Sequence, residues 1–129
     1  MRPLFVGEAP SKRPSIGRNS SRGRLANLVG VKPLELRWTN LFEHLVEEFD
    51  QEEARAAAAR INGRESRLIL LGQKVAKAFG LERPIALRWM LHRGSWVAVI
   101  PHPSGLNRWW NEAENRDAVE KFLRPLFMT

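Results

Sequence analysis

The chain contains no cysteine, only three histidines and no long apolar run. Without cysteine it has no disulfide, no thiolate-bound zinc and no iron–sulfur cluster held by cysteines. The histidines stand at positions 44, 92 and 102, too far apart in sequence for a recognisable metal motif. We therefore expect neither a metal ion nor any other cofactor.

Membrane insertion is equally unsupported by the sequence. No apolar run reaches the roughly 20 residues that a membrane-spanning helix needs. The apolar opening, residues 1–7, is too short for a signal peptide. We therefore predict a cytoplasmic protein without a membrane partner.

The size and composition are those of one globular domain. Of 129 residues, 43% are hydrophobic and 27% are charged, which is ordinary for a globular protein. This length suffices for one core but leaves no room for a second. We predict a single domain over residues 1–129 and a monomeric protein.

The charge is positive and unevenly distributed. The net charge of +7 comes from 21 Lys and Arg against 14 Asp and Glu. Residues 1–24 carry six basic residues and one acid, whereas residues 43–53 carry six acids and no Lys or Arg. A polyanion such as nucleic acid would bind the first region and avoid the second. The alternative is that the positive charge only maintains solubility.

Strand-like and helix-like segments alternate along the chain. This alternation predicts an α/β/α three-layer sandwich around a mainly parallel sheet of about four strands. A loop over 12–23 leads into the first helix, whose amino terminus is a place that attracts phosphate. Predicted strands cover 3–6, 36–41, 67–72 and 96–100, with a further short strand at 87–90; predicted helices cover 24–29, 43–61 with a break near Asp50, 73–79, and 112 or 115 to 123.

Two loops with polar side chains follow the first and the last of these strands. They read Gly7-Glu8-Ala9-Pro10 and Pro101-His102-Pro103-Ser104-Gly105-Leu106-Asn107. Loops at the carboxyl ends of parallel strands face one edge of the sheet, so we expect both to line one pocket. A plainer interpretation stays open for each residue. His102 would then bond only to backbone, Glu8 would only cap its turn, and Asn40 would only form a turn.

The two loop motifs together resemble those of the uracil-DNA glycosylase superfamily. The first is similar to its Gly-Glu-Ala-Pro-Gly motif and the second to its His-Pro-Ser motif. The Gly-Leu-Asn continuation also resembles the mismatch-specific branch, which usually has Asn where this chain has His102. Thr39-Asn40 and residues 70–76 fit the order of elements in the family, so the resemblance spans nearly the whole chain.

The resemblance implies a DNA glycosylase that flips a base out of the duplex and cleaves its bond to the sugar. Glu8 would orient or activate water, and His102 would stabilise the departing base. Asn40 would read the edge of the base, and Leu106 would fill the gap left in the stack. The remaining implied base-pocket residues are Gly7, Ala9, Pro10 and Arg18; the implied DNA contacts are Ser11, Lys12, Arg22, Ser104, Gly105, Leu106, Asn107 and Arg108.

An aromatic side chain that stacks on the base is usual in this family, in the loop before the first helix. Here residues 16–20 are Ile-Gly-Arg-Asn-Ser, so Arg18 is the candidate, stacking through its guanidinium plane. Trp38, Trp89 and Trp96 occur in strand-like sequence and are expected in the core. Trp109 and Trp110 follow an exposed loop, where one ring could stack on DNA while another packs under the last helix.

The resemblance therefore implies an enzyme that hydrolyses the N-glycosidic bond of uracil or another altered pyrimidine in DNA, as in base-excision repair. Two alternatives remain open. One is a glycosylase fold that binds DNA, or another protein, without catalysis. The other is an enzyme that acts on a hypermodified base.

Overall fold

The structure is a computed structural model that describes residues 2–10, 20–43, 48–103 and 107–128. Its strands are β1 (Leu4–Gly7), β2 (Arg37–Asn40), β3 (Arg67–Leu71), β4 (Met90–His92) and β5 (Ser95–Ile100). Its α-helices are α1 (Ser21–Val29), α2 (Gln51–Ile61), α3 (Gln73–Ala78) and α4 (Ala113–Leu123). Short 3-10 helices occupy Pro33–Glu35, Arg108–Asn111 and Arg124–Phe127.

The strands form one mixed, mostly parallel sheet in the order β2-β1-β3-β5-β4. The strands β2, β1, β3 and β5 run parallel to one another, and the edge strand β4 pairs antiparallel with β5. The predicted count of about four strands is therefore one short. The short strand expected at 87–90 lies instead at Met90–His92. Arg93 and Gly94 follow it with positive φ, 48° and 89°, and close a two-residue hairpin to β5.

Alternate residues of the strands build a core on each face of the sheet. Val6, Leu68 and Leu70 point to the face covered by α2 and α3. Phe5, Ile69 and Leu71 point to the face covered by α1 and α4. The central strands β1, β3 and β5 are nearly continuous runs of buried residues, as expected for parallel strands with helices on both faces. This architecture is α/β and is compatible with the predicted three layers.

Capping side chains set two helix starts that periodicity placed elsewhere. Asp50 accepts hydrogen bonds from the backbone N–H groups of Glu52 and Glu53, at 3.0 and 3.2 Å, so α2 begins at residue 51. The predicted break near Asp50, with a helix resuming after it, is confirmed, whereas the predicted helix before the break is wrong for the described residues 43, 48 and 49. Ser20 caps α1 by accepting from Gly23 N–H at 3.0 Å, so α1 begins three residues before the predicted start.

The tryptophans expected in the core divide into two groups. Trp89 packs in the core against Phe122, with ring centroids 5.6 Å apart. Trp96 is 49% exposed, so its assignment to the core is wrong. Trp96 pairs in register with Leu91 of β4, which is also exposed.

None of the helices in the described ranges has both the length and the apolar character needed to span a bilayer.

Candidate functional site

The carboxyl ends of four parallel strands bring the two predicted loops together. Gly7 at the end of β1 is in register with Asn40 at the end of β2, and Leu71 of β3 is in register with Ile100 of β5. Glu8 directly follows β1, and His102 follows β5 by two residues. Their side chains meet at this edge, with Oε2 of Glu8 3.9 Å from Nε2 of His102. The sequence-distant loops therefore share one site.

A small pocket, which we call the edge pocket, opens between these loops. Its volume is about 90 Å³. This is well below the roughly 300–1,000 Å³ of typical ligand pockets, so the described part of the site suits a small group. It is lined by Gly7, Glu8, Ala9, Pro10, Ser20, Ser21, Arg22, Trp38, Asn40 and His102.

The His102 imidazole is held in its neutral form at neutral pH. Burial lowers the pKa of His102; the Glu8 carboxylate raises it and the Lys74 ammonium lowers it, and the net direction is downward. Although Glu8 is close, a separation of 3.9 Å exceeds hydrogen-bond distance, so desolvation outweighs the attraction. A neutral imidazole carries one N–H donor and one acceptor nitrogen. It can therefore donate a hydrogen bond to a nearby oxygen without carrying a net charge.

Gly72, which follows β3, provides the space that His102 occupies. Its φ of +94° lies in a region that favours glycine. A Cβ atom added at Gly72 would lie 3.2 Å from Cβ of His102, closer than side chains normally approach. The backbone of Gly72 also donates to the carbonyl of Ile100 at 2.9 Å. Glycine at this position thus fixes how near the imidazole lies to the end of β3.

Asn107 and Trp110 hold the loop that carries His102. The carbonyl of His102 accepts from Asn107 Nδ2 at 3.0 Å and from Trp110 Nε1 at 2.9 Å. Trp110 Nε1 also lies 3.2 Å from the carbonyl of Pro101. Asn107 Oδ1 in turn accepts from the N–H of Trp109 at 3.1 Å. The Trp110 indole is therefore part of the support of the imidazole, and its N–H is occupied inside the protein.

The amide of Asn40 has a fixed orientation. Its Oδ1 accepts from Nε1 of Trp38 at 3.3 Å. A Cβ added at Gly7 would come within 2.7 Å of the same oxygen, so a larger residue at position 7 would displace the amide of Asn40. Within the described residues Nδ2 of Asn40 makes no hydrogen bond, which leaves a donor at the pocket.

Trp38 is the residue of this site that sequence reasoning missed, because its apolar context suggested the core. It is half-buried and lines the edge pocket. Its ring stacks on Phe5, with centroids 5.9 Å apart and planes 11° apart. The sequence did contain a signal for this role, because Trp38 and Asn40 are two residues apart in β2 and residues two apart in a strand share one face. Trp38 therefore lies on the same face as Asn40.

Arg22 forms part of the pocket wall. Its Nε and Nη2 donate to the carbonyls of Pro33 and Leu36, at 2.8 and 2.6 Å. The guanidinium also lies 5.9 Å from the Trp38 ring centroid, and burial lowers the pKa of Arg22. Contact of this side chain with DNA remains a prediction. Its internal bonds give it a second role, holding the start of α1 against β2.

The amino terminus of α1 adds positive potential to the pocket. Ser20, Ser21 and Arg22, at the start of the nine-residue helix, all line it. The first N–H groups of a helix lack intrahelical partners and carry the positive end of its dipole. This side of the pocket therefore favours an anion or an electron-rich oxygen.

The remaining predicted site residues differ in where they lie. Gly7, Ala9 and Pro10 line the edge pocket with Glu8. Arg108 is exposed at the start of the 3-10 helix after the His102 loop. Six of the predicted contacts lie outside the described residues: Ser11, Lys12, Arg18, Ser104, Gly105 and Leu106.

The arrangement combines a carboxylate, a neutral imidazole and a free amide donor around a small pocket with an aromatic wall. Such a site can position water and stabilise negative charge that develops on a small planar group. The chain matches no protein-family model, and no curated protein matches it.

Proposed function

We propose that the protein is a DNA N-glycosylase with a uracil-DNA glycosylase-like three-layer fold. The observation that carries the proposal is the approach of Glu8 and His102 to 3.9 Å at the carboxyl edge of the parallel sheet. The two motifs that resemble the family are 94 residues apart in sequence, and the sheet brings them to neighbouring positions because only β3 separates β1 from β5.

In the proposed reaction a water molecule attacks the anomeric carbon of a flipped nucleotide. The bond from that carbon to the base nitrogen breaks, and its electrons leave with the base, whose carbonyl oxygen becomes negative. The neutral imidazole of His102 donates a hydrogen bond to that oxygen. The Glu8 carboxylate orients the water and accepts its proton. The products are a free base and an abasic sugar.

Selection of the base follows from the pocket lining. Nδ2 of Asn40 is a donor, so it favours a base with a carbonyl oxygen at that position, as in uracil. The volume of about 90 Å³ favours a single-ring pyrimidine over a purine or a bulky modified base. Trp38, held against Phe5, supplies an aromatic wall. Uracil or a similar small altered pyrimidine is therefore the proposed substrate.

DNA would be held by phosphate contacts around the pocket. The start of α1 and the exposed Arg108 carry positive charge near it. The basic residues Lys12 and Arg18 and the wedge Leu106 belong to the same proposal. Such contacts set the position of DNA without reading its sequence, so binding should weaken as salt increases.

The decisive experiment is release of free base from a uracil-containing oligonucleotide, single- and double-stranded. We expect release by the native chain and its loss in His102→Ala and Glu8→Gln. Glu35→Gln is a matched control, because Glu35 is exposed and lies outside the edge pocket. No release from any deoxyuridine, mismatch or modified-base substrate would contradict the enzymatic proposal.

One observation favours a second candidate, a glycosylase fold that binds DNA without catalysis. Glu8 is the only acid among the described residues that line the pocket, and Ala9 and Pro10 follow it. If Glu8 does not activate water, no neighbouring carboxylate replaces it. This candidate predicts salt-sensitive DNA binding with no free base and no abasic site formed.

A further inference from the structure

A second and larger cavity lies on the sheet face covered by α2 and α3. We call it the α2–α3 groove. Its volume is about 610 Å³, within the range typical of ligand pockets. It is lined by the second half of α2, by α3 and the residues after it, and by Arg93 of the β4–β5 hairpin. No described residue lines both this groove and the edge pocket.

The groove lies away from the edge pocket along the sheet. Arg93 precedes β5, whereas His102 follows it, and β5 has six residues. At about 3.3 Å per residue these ends are roughly 20 Å apart. A phosphate held at Arg93 would therefore be separate from a base bound at His102, whereas the opposite end of the groove, at Gln73, adjoins Gly72 beside His102.

Among the described residues, four basic side chains line the groove, against a single acid, Glu82. They are Arg55, Lys77, Arg83 and Arg93, and all four are exposed. Within the described residues none of them forms an ion pair. Concave surfaces lined by one sign of charge concentrate counter-ions, so this groove attracts an anion. Guanidinium groups in particular match the geometry of phosphate.

Two of these arginines occupy backbone conformations that are unusual for their residue type. Arg83 and Arg93 have φ of 49° and 48°. The first central position of the hairpin turn favours Asn, Asp or Gly, yet Arg93 is there. Its guanidinium lies against Gly80, where an added Cβ would be 3.4 Å from Nη2. Unfavourable backbone conformations often persist where a side chain serves a site.

The rest of the lining suits a planar group. Ala58, Ala59 and Ala78 present small apolar side chains beside the arginines. Asn62 also lines the groove, and its Oδ1 is buried without a hydrogen-bond partner. Rotation about the soft terminal torsion of Asn62 would let this oxygen accept from an N–H donor in the groove. The groove thus combines phosphate donors, a flat apolar surface and an unpaired acceptor.

We propose that the α2–α3 groove binds a nucleoside phosphate. The phosphate contacts the arginines, the base lies on the alanine surface, and an amino or imino N–H of the base donates to Asn62. The ligand is either a free mononucleotide or one nucleotide of a DNA strand, since both present this chemistry. The inference does not depend on glycosylase activity, and binding can be measured in a protein that cleaves nothing.

Equilibrium dialysis of the full chain against labelled AMP tests the proposal. We expect saturable binding that weakens about tenfold in Arg93→Gln, because one charge-assisted hydrogen bond is lost. Ala59→Phe should abolish AMP binding, because the larger side chain fills the groove without changing its charge. Arg60→Gln is the matched control: Arg60 is exposed on α2 but does not line the groove. Circular dichroism verifies the fold of each variant.

Competition identifies the source of the nucleotide. Displacement of bound AMP from the native chain by an oligo(dA) strand indicates a strand, whereas AMP binding that oligo(dA) does not displace indicates a free nucleotide. Either result supports the groove as a nucleotide site. Inorganic phosphate binding as tightly as AMP would overturn the nucleotide assignment. Equal AMP binding by the native chain, Ala59→Phe and Arg93→Gln would overturn the site itself.

Discussion

The edge pocket and the α2–α3 groove differ in size, charge and chemistry. The larger cavity, about 610 Å³, contains exposed arginines but no histidine, whereas the pocket of about 90 Å³ contains the half-buried pair of Glu8 and His102. Burial shifts the pKa of His102 in the small pocket. A small, partly desolvated site suits bond cleavage, and a wide basic groove suits binding. On the proposed function, volume alone would therefore point to the wrong cavity for catalysis.

The largest expected effects are on base release, which should depend on residues of the edge pocket and not on those of the α2–α3 groove. His102→Ala should lower base release about 10²–10³-fold, the usual loss when one donor to a developing oxyanion is removed. Glu8→Gln should lower it about 10²–10⁴-fold, as for loss of a general base. Single-turnover release from a uracil-containing oligonucleotide measures both. Since neither residue lines the α2–α3 groove, AMP binding should not change. A parallel loss of AMP binding would contradict the separation of the two cavities.

Gly72→Ala should affect the edge pocket through the backbone. The positive φ of Gly72 and the 3.2 Å approach of an added Cβ to His102 make alanine strained there. We expect a loss of about 1–3 kcal/mol in the free energy of unfolding, together with displacement of the imidazole. Urea denaturation and base-release assays measure the two effects. Unchanged stability and activity would show that the close approach does not constrain His102.

Trp110→Phe tests the support of the His102 loop. It removes the N–H that bonds to the carbonyls of His102 and Pro101, while retaining an aromatic ring. A lost hydrogen bond costs about 0.5–1.5 kcal/mol, so we expect up to about a tenfold lower rate of base release. Trp96→Phe is the control, because Trp96 is 49% exposed and lies outside both cavities. Equal effects of the two substitutions would argue against the supporting role of Trp110.

The smallest expected effect concerns pH. Burial, partly offset by Glu8 and reinforced by Lys74, holds the pKa of His102 below its ordinary value. Below about pH 6.5 the unfolded chain takes up a proton that the folded state resists, so stability should fall as pH decreases from there. Lys74→Gln removes one repulsive charge, so the pKa of His102 should rise and this loss of stability should be smaller.

An NMR titration of the His102 imidazole and urea unfolding between pH 7 and pH 5 measure this effect. Lys77→Gln is the matched control, because Lys77 lies on the same helix but lines the α2–α3 groove. If both lysine variants shift the pKa of His102 equally, the influence of Lys74 is not local.

The sequence predicted much of the scaffold because the relevant signals are local. Apolar runs located β1, β2, β3 and β5, and the loops that follow parallel strands necessarily face one edge. The meeting of Glu8 and His102 follows from that rule. The antiparallel β4 lies at Met90–His92 rather than at 87–90, because it pairs with β5 directly up to the Arg93-Gly94 turn. The start of α2 depends on the cap at Asp50 rather than on apolar spacing.

The features that sequence reasoning missed depend on tertiary contacts. Trp38 resembles a core residue by its neighbours, and only its packing against Phe5 beside Asn40 makes it a pocket wall. The hydrogen bonds from Arg22 to the carbonyls of Pro33 and Leu36 were not foreseen, and its contact with DNA remains a prediction. The α2–α3 groove assembles exposed residues from separate segments that carry no motif, so only the fold places them together.

The most direct test of the central claim is a structure of the protein with bound uracil. The account predicts uracil in the edge pocket, with carbonyl oxygens at about 2.9 Å from the His102 imidazole and from Nδ2 of Asn40, as in ordinary hydrogen bonds. Uracil bound in the α2–α3 groove, with the edge pocket unoccupied and Glu8 and His102 turned away from each other, would contradict it.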